Sequence, residues 1–229
     1  MEYLPNGFCL ELCPGGFPLS TDSMILADFV KLKRNARVLD LGSGCGTLGL
    51  LLCASDETCT VTGLELDENA HNQAMENIRA NALASRLYSI CADLRAMPGE
   101  IPRQSFDCCV SNPPYFSGGA ISQKAPMARQ EISCSLSDLF AAANYALRYG
   151  GDFYLVHKPE KLSAICSEAT RSGLEPKVLR LVRHHREALP NLIALQCRKG
   201  GKPGLKWEEI TLFHSNGSPT EDYRRIYHI

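Results

Sequence analysis

The run Val38-Leu39-Asp40-Leu41-Gly42-Ser43-Gly44-Cys45-Gly46-Thr47-Leu48-Gly49 limits what this chain can fold into more than any other stretch. It reads as an apolar strand, a glycine-rich turn and the start of an apolar helix. Glycine takes positive φ without steric penalty and lets a ligand come up against bare backbone. A helix N-terminus directly behind such a turn presents unpaired N–H groups. The segment therefore predicts a ligand-binding strand–turn–helix unit.

The rest of the chain repeats that alternation. Strands are predicted at Arg37 to Leu41, Thr60 to Leu66, Leu87 to Ala92, Phe106 to Ser111 and Asp152 to His157, with helices at Leu48 to Cys53, Glu68 to Ala82, Leu136 to Tyr149 and Glu160 to Ser172. Before the first strand, Ser20-Thr21-Asp22 is an N-cap cluster opening a helix from Leu19 to Lys33. Gly150-Gly151 reads as the C-cap of the helix before it. Lys177 to Arg183 and Asn191 to Cys197 read as a closing strand pair, and the segment after about Asn216 as a polar tail. Strands and helices in turn, with short connections, predict an α/β architecture with a parallel sheet covered on both faces. At 229 residues the chain has room for one such domain.

Composition narrows the classes. No apolar run approaches the ~20 residues of a membrane span, and Met1-Glu2-Tyr3-Leu4-Pro5 lacks the charged and apolar regions of a secretory signal. A cytoplasmic location without membrane attachment is expected. The eleven cysteines have no paired metal-ligand spacing beyond the single Cys9–Cys13 interval, so they read as buried thiols in a reducing compartment, with no metal. Charge is unevenly spread. Residues 1–150 hold 11 basic against 16 acidic side chains, and residues 151–229 hold 13 against 9. The basic residues Arg171, Lys177, Arg180, Arg183, Arg186, Arg198, Lys199, Lys202 and Lys206 predict either a footprint for a polyanion or a solvated basic face.

Three further features follow the glycine turn in order. Glu65 ends the second strand, where its carboxylate can accept from ribose hydroxyls or cap a helix. Asp93 follows the third strand, where it can accept from an adenine amine or, again, cap a helix. The fourth strand runs into Asn112-Pro113-Pro114-Tyr115. Two prolines in series remove two donors and bias Asn112 toward extended geometry. The resulting stiff turn holds an amide, a backbone carbonyl and an aromatic face in fixed relation, a set able to grip a planar amine. The glycines by themselves leave two cofactors open. Gly44, Gly46 and Gly49 satisfy the GxGxxG dinucleotide pattern, whereas Asp40-x-Gly42-x-Gly44-x-Gly46 matches the first motif of S-adenosylmethionine-dependent methyltransferases. The amine-gripping turn, for which a nicotinamide enzyme has no need, favours the second.

Glycine turn, Glu65, Asp93 and Asn112-Pro113-Pro114-Tyr115, in that order, resemble the class I methyltransferases over roughly residues 17–200. Within that class the chain is similar to the compact bacterial tRNA (adenine-N6) methyltransferases, which modify the adenine beside the anticodon of a valine tRNA. The likeness lies in Phe17 to Phe29, Ala128-Arg129-Gln130-Glu131, Pro190-Asn191-Leu192 and Lys199 to Lys206. DNA amine methyltransferases usually carry a target-recognition domain, and release-factor glutamine methyltransferases a helical N-terminal domain. The latter, acting on a protein glutamine amide, is the nearest alternative, followed by methylation of another RNA base.

The resemblance implies a Rossmann-like, seven-stranded, mostly parallel sheet with an antiparallel C-terminal strand and helices on both faces. It implies a single domain over 1–229, with an extension at 1–16, a core at 17–200 and a tail at 201–229. S-adenosyl-L-methionine is the implied cofactor, bound by Thr21, Asp22, Asp40, Gly42, Ser43, Gly44, Gly46, Glu65, Leu66, Asp93, Leu94 and Asn112. Asn112, Pro113, Pro114 and Tyr115 are the implied catalytic turn. Tyr115, Lys124 and Arg129 are implied to touch the substrate, a tRNA, with the enzyme a monomer or weak dimer.

Overall fold

The computed structural model describes residues 1–4, 7–14, 19–97, 99–113 and 134–229. The strands are β1 (Glu2–Tyr3), β2 (Cys9–Leu10), β3 (Arg37–Leu41), β4 (Thr60–Glu65), β5 (Leu87–Cys91), β6 (Phe106–Ser111), β7 (Leu147–His157), β8 (Leu174–Arg183), β9 (Leu192–Lys199) and β10 (Lys206–Thr211). The helices are α1 (Thr21–Phe29), α2 (Thr47–Ser55), α3 (Glu68–Ala80), α4 (Leu136–Ala146), α5 (Leu162–Arg171) and α6 (Glu221–Tyr227). β1 and β2 form a small antiparallel pair, and the other eight strands form one sheet in the order β10-β8-β9-β7-β6-β3-β4-β5. All eight run parallel except β9, which lies antiparallel between β7 and β8.

Strand alternation builds the two core layers, because successive side chains point to opposite faces. Val38, Cys108, Val110, Tyr154 and Val156 pack with α1, α2 and α3 on one face. Leu39, Leu41, Cys109, Phe153 and Leu155 pack with α4 and α5 on the other. The neighbouring Cys108 and Cys109 divide between the two layers, as their position in a strand requires.

The α/β class and its single antiparallel strand agree with the sequence reading, but the sheet has one strand more. β10 adds parallel to β8 at the edge, in register from Lys206↔Val178 to Thr211↔Arg183. Its sequence Lys-Trp-Glu-Glu-Ile-Thr has a single buried side chain, Ile210, so it carries almost none of the apolar signal that marks a central strand. The segment expected to be a polar tail also contains α6, whose Ile226 is buried against the core.

Gly150-Gly151 does not cap α4, which ends at Leu147 in extended geometry. The pair instead lies inside β7, where the register against β6 steps from Phe106↔Leu147 to Cys108↔Asp152. Gly150 has φ of 79°. A Cβ on Gly151 would sit 3.0 Å from the carbonyls of Arg148 and Asp107. These glycines are needed for a bulge and a close backbone approach, not for a helix stop.

One ionic cluster fastens the C-terminal edge to α1. Arg180, 6% exposed in its side chain, pairs with Asp28 of α1 and Glu208 of β10 at 2.6 Å each, and lies over the Phe29 ring at 4.7 Å. Arg225 of α6 also pairs with Asp28 and, at 3.0 Å, with Asp222. The two guanidinium groups hold the Asp28 carboxyl below its ordinary range against the opposing effect of burial. Losing Arg180 leaves Asp28 with Arg225 as its remaining ion-pair partner; breaking a buried pair costs about 3–5 kcal/mol, and the retained contact puts the cost at the low end. Arg180→Ala is expected to destabilise the chain by about 3 kcal/mol in urea unfolding. Arg79→Ala, which breaks a solvent-exposed pair with Glu76, is expected to cost about 0–1 kcal/mol.

Candidate active site

In the sheet order, the chain moves from β3 outward through β4 to β5, then returns to the other side of β3 as β6. The carboxyl ends of β3 and β6 therefore flank the point where strand order reverses, which is where open parallel sheets bind ligands. The glycine turn leaves β3 there, and Asn112 leaves β6 beside it. Ser111 ties the two ends together, its buried hydroxyl donating to the Leu41 carbonyl at 2.8 Å.

The turn is locked by its own backbone. Gly42 N–H and Ser43 N–H both donate to the Leu64 carbonyl of β4, at 2.9 and 3.1 Å. Gly42, Gly44 and Gly46 have φ of 75°, 55° and 86°, values that cost L residues with a Cβ. A Cβ on Gly42 or Gly44 would meet nothing within 4 Å among the described residues, which leaves room there for a ligand to approach the backbone.

Glu65 holds this arrangement from below. Its Oε2 accepts Gly44 N–H at 2.7 Å, and its Oε1 accepts Leu66 N–H and Asp67 N–H at 2.9 Å each. Three of the roughly four lone-pair sites of a carboxylate are thereby taken. From sequence, Glu65 is expected to contact a ribose or to cap a helix. The structure gives it another task, fixing the glycine turn, and leaves about one acceptor site for a ligand. Gly63, which the sequence reading passed over, is part of the same fit, since a Cβ there would lie 2.6 Å from Ser43 Oγ.

Asp40 is 1% exposed, and its Oδ1 has no hydrogen-bond partner among the described residues. Burial, and secondarily the negative charge of Glu65, push its carboxyl up to about 8. Ser43 Oγ nearby is also buried and unpartnered. Asp93 is differently placed. It accepts from Arg95 N–H at 2.8 Å and from the Arg95 guanidinium at 2.6–3.0 Å, and those bonds hold its carboxyl below the ordinary range. Leu94 follows it in the turn, packed against the α4–α5 layer, and Leu66 is 39% exposed at the rim.

Thr21 and Asp22 open α1 on the same side. Burial raises the Asp22 carboxyl, partly offset by Lys158 at the end of β7. Thr21 Oγ1 accepts from the Tyr227 hydroxyl of α6 at 3.0 Å. Asn112 donates from Nδ2 to Ser23 Oγ at 3.0 Å. Ser23, Tyr227 and Lys158 are the members of this neighbourhood that sequence reasoning missed. Nothing local marks them, because each is brought in by a different element. Pro113 is buried behind Asn112. Pro114, Tyr115, Lys124 and Arg129 lie outside the described residues.

The basic residues of 171–206 do not form one surface. Parallel β8 ends at Arg183 on the site side, so Arg183 and the loop through His184, His185 and Arg186 share the rim with Asn112. Arg171, Arg198, Lys199, Lys202 and Lys206 fall at the opposite end of the sheet. Most of those are engaged in structure: Arg171 with Glu168, Arg198 with Asp152, and Lys199 with the carbonyls of Asn144 and Leu147.

The strand-order reversal is lined by the glycine turn on one side and by Asn112-Pro113 on the other, the place where an open parallel sheet binds its ligand. Residues 19–164 match the family model described as the methyltransferase small domain. The chain belongs to that family. It is a methyltransferase, and relatives of similar length share it. A tRNA1(Val) (adenine(37)-N6)-methyltransferase of Shewanella sediminis is 31% identical over 222 residues, covering 92% of this chain and 91% of its own. The enzyme of the same name from Actinobacillus pleuropneumoniae is 26% identical over 212 residues, covering 91% and 87%. Among solved structures, a predicted O-methyltransferase of Agrobacterium tumefaciens superposes with a TM-score of 0.77 at 19% identity, over 91% of this chain and 96% of that one. That likeness establishes the class I methyltransferase fold.

The buried Asp40 gives the site a pH signature. Its carboxyl ionises near pH 8 in the folded chain but at about 3.9 when unfolded. Between those values the folded state holds the extra proton, so stability falls as pH rises from about 4 to about 8. Asp40→Asn keeps the shape and cannot ionise. It is expected to flatten the decline in urea midpoint between about pH 5 and pH 8 relative to the unaltered chain, a difference on the order of a few kcal/mol. Parallel pH profiles would show that Asp40 stays ionised.

Proposed function

We propose that the chain is an S-adenosylmethionine-dependent methyltransferase acting on N6 of an adenine in tRNA, the one beside the anticodon of a valine tRNA. The observation that carries this reading is the position of Asn112-Pro113 at the strand-order reversal, directly across from the open glycine turn. The named activity of the relatives, which match nearly the whole chain, supplies the substrate class. We place the reaction in the cytoplasm, where such an RNA is found.

The chain's own features fit the cofactor. Gly42 and Gly44 leave room for a ligand to approach the backbone, Asp40 and Ser43 hold buried polar atoms without partners among the described residues, and the Glu65 and Asp93 carboxylates stand at the ends of the next two strands. We assign binding to Thr21, Asp22, Asp40, Gly42, Ser43, Gly44, Gly46, Glu65, Leu66, Asp93, Leu94 and Asn112. When bound, S-adenosylmethionine supplies an electrophilic methyl group on a sulfonium. The protein's task is then positioning, which can account for a large share of the rate.

Asn112 Oδ1 and the Pro113 carbonyl are the acceptors for the two protons of the target amine. Holding both N–H bonds fixes the plane of the base and raises electron density on the nitrogen. Tyr115 offers a ring for stacking, worth about 1–3 kcal/mol for a base on an aromatic side chain. Since the base must leave its stack to reach the turn, the RNA needs a bed on the same rim. His184, Arg186 and Arg224 are the side chains suited to it, while Arg183 is engaged with Glu209 and the Ala188 carbonyl. His184 is in ring contact with Phe213, Phe213 with Tyr223, and Tyr223 stacks on Tyr227, whose hydroxyl donates to Thr21.

Two measurements test this. Labelled methyl transfer into total tRNA from a strain lacking the enzyme is expected to give N6-methyladenosine in one valine tRNA. Label appearing in a protein glutamine, or in no RNA, would overturn the reading. Asn112→Ala is expected to lower kcat by about 100-fold or more, a loss well beyond its effect on cofactor affinity. Arg186→Ala with Arg224→Ala is expected to raise KM for RNA and to flatten its dependence on salt, by about one unit of slope per lost phosphate contact.

A further inference from the structure

Asn112 can serve as an acceptor only if its oxygen, not its NH2 group, faces the substrate amine. A primary amide is nearly symmetric in shape, and a turn about χ2 exchanges the two ends. Something must decide between them. The Asn112 backbone cannot, because it constrains φ and ψ but not the amide plane.

Ser23 supplies the missing constraint. It lies in the first turn of α1, 6% exposed, so its hydroxyl must find partners within the protein. Ser23 Oγ receives Asn112 Nδ2 at 3.0 Å and lies 3.3 Å from Ser20 Oγ. Ser20 is the N-cap of α1, and its oxygen already accepts Ser23 N–H at 3.2 Å. A hydroxyl has one proton to give. The two hydroxyls can bond in either sense; with Asn112 Nδ2 donating to Ser23 Oγ, the Ser23 proton is directed to Ser20, and the Ser23 oxygen is the acceptor that selects the NH2 end of the amide.

We propose that Ser23 is a positioning residue for methyl transfer. The donor chain Asn112 Nδ2–H to Ser23 Oγ–H to Ser20 Oγ fixes the amide so that Oδ1 faces the target amine. The proposal rests on the reading of Asn112 as the amine acceptor. It makes the cap of α1 part of the catalytic geometry. Without Ser23, no other side chain among the described residues holds the amide, and a flipped amide sets donors against the amine protons. That fault affects the reacting geometry more than substrate binding, because the Pro113 carbonyl and the stacking ring still act.

The test compares Ser23→Ala and Ser23→Thr with the unaltered enzyme. Ser23→Ala is expected to lower kcat about 10-fold, with KM for tRNA and the Kd for S-adenosylhomocysteine changed by no more than about two-fold. Ser23→Thr returns the hydroxyl and is expected to restore most of kcat. A second readout does not depend on activity. The side-chain amide pair of Asn112 in a nitrogen-15 correlation spectrum, assigned by its loss in Asn112→Ala, is expected to shift in Ser23→Ala and to return toward its place in Ser23→Thr. Unchanged kcat in Ser23→Ala, a parallel loss of cofactor affinity, or an unmoved Asn112 signal each overturns the proposal. If the unaltered protein methylates no RNA, the functional reading fails on its own and the amide signal alone decides the role of Ser23.

Discussion

Everything at the site depends on β3 and β6 lying side by side. The two strands are far apart in sequence, and the register Val38↔Cys108, Leu39↔Cys109, Asp40↔Val110 brings their ends level. The Ser111 hydroxyl then closes on the Leu41 carbonyl, removing any slip between the strands. One residue of slip would turn Cys108 and Val110 out of one core layer and into the other. Leucine and cysteine side chains buried on both faces hold the register, and the register holds the glycine turn against the amide turn.

On that foundation the glycine turn is more than a flexible loop. Its N–H groups are assigned to Leu64 and Glu65, so it meets a ligand already shaped, and little ordering remains to be done on binding. The buried Asp40 is the counterpart cost. A carboxyl in that place, next to the Glu65 charge, is stable only with its proton or with a partner. Asp40 Oδ1 and Ser43 Oγ, both buried and without hydrogen-bond partners among the described residues, lie together at this turn, and such groups call for an explanation at a functional site.

The C-terminal edge has a different role from the one its charge suggested. Arg180 is spent on Asp28 and Glu208, Arg198 on Asp152, and Lys199 on the end of α4. These cations join elements rather than forming one basic face. The segment after Gly201, polar and weakly patterned, supplies β10 and α6. Through the contacts of Arg225 with Asp28 and Tyr227 with Thr21, it reaches the first helix.

The sequence by itself determined the strand–turn–helix unit at Val38–Gly49, the bounds of β3 and β6, and the N-cap of α1. Each of these follows from local rules: the period of apolar side chains, glycine at positive φ, and proline's missing donor. It could not show that Gly150-Gly151 makes a bulge, because helix cap and bulge ask the same freedom of glycine, and only the approach of Asp107 decides between them. It could not show β10, an edge strand with one buried side chain. Nor could it join Ser23 to Asn112, or separate Arg186 from Lys202 onto opposite ends of the sheet. Those are consequences of strand order and direction, which depend on how distant segments pair and leave no mark on the residues nearby.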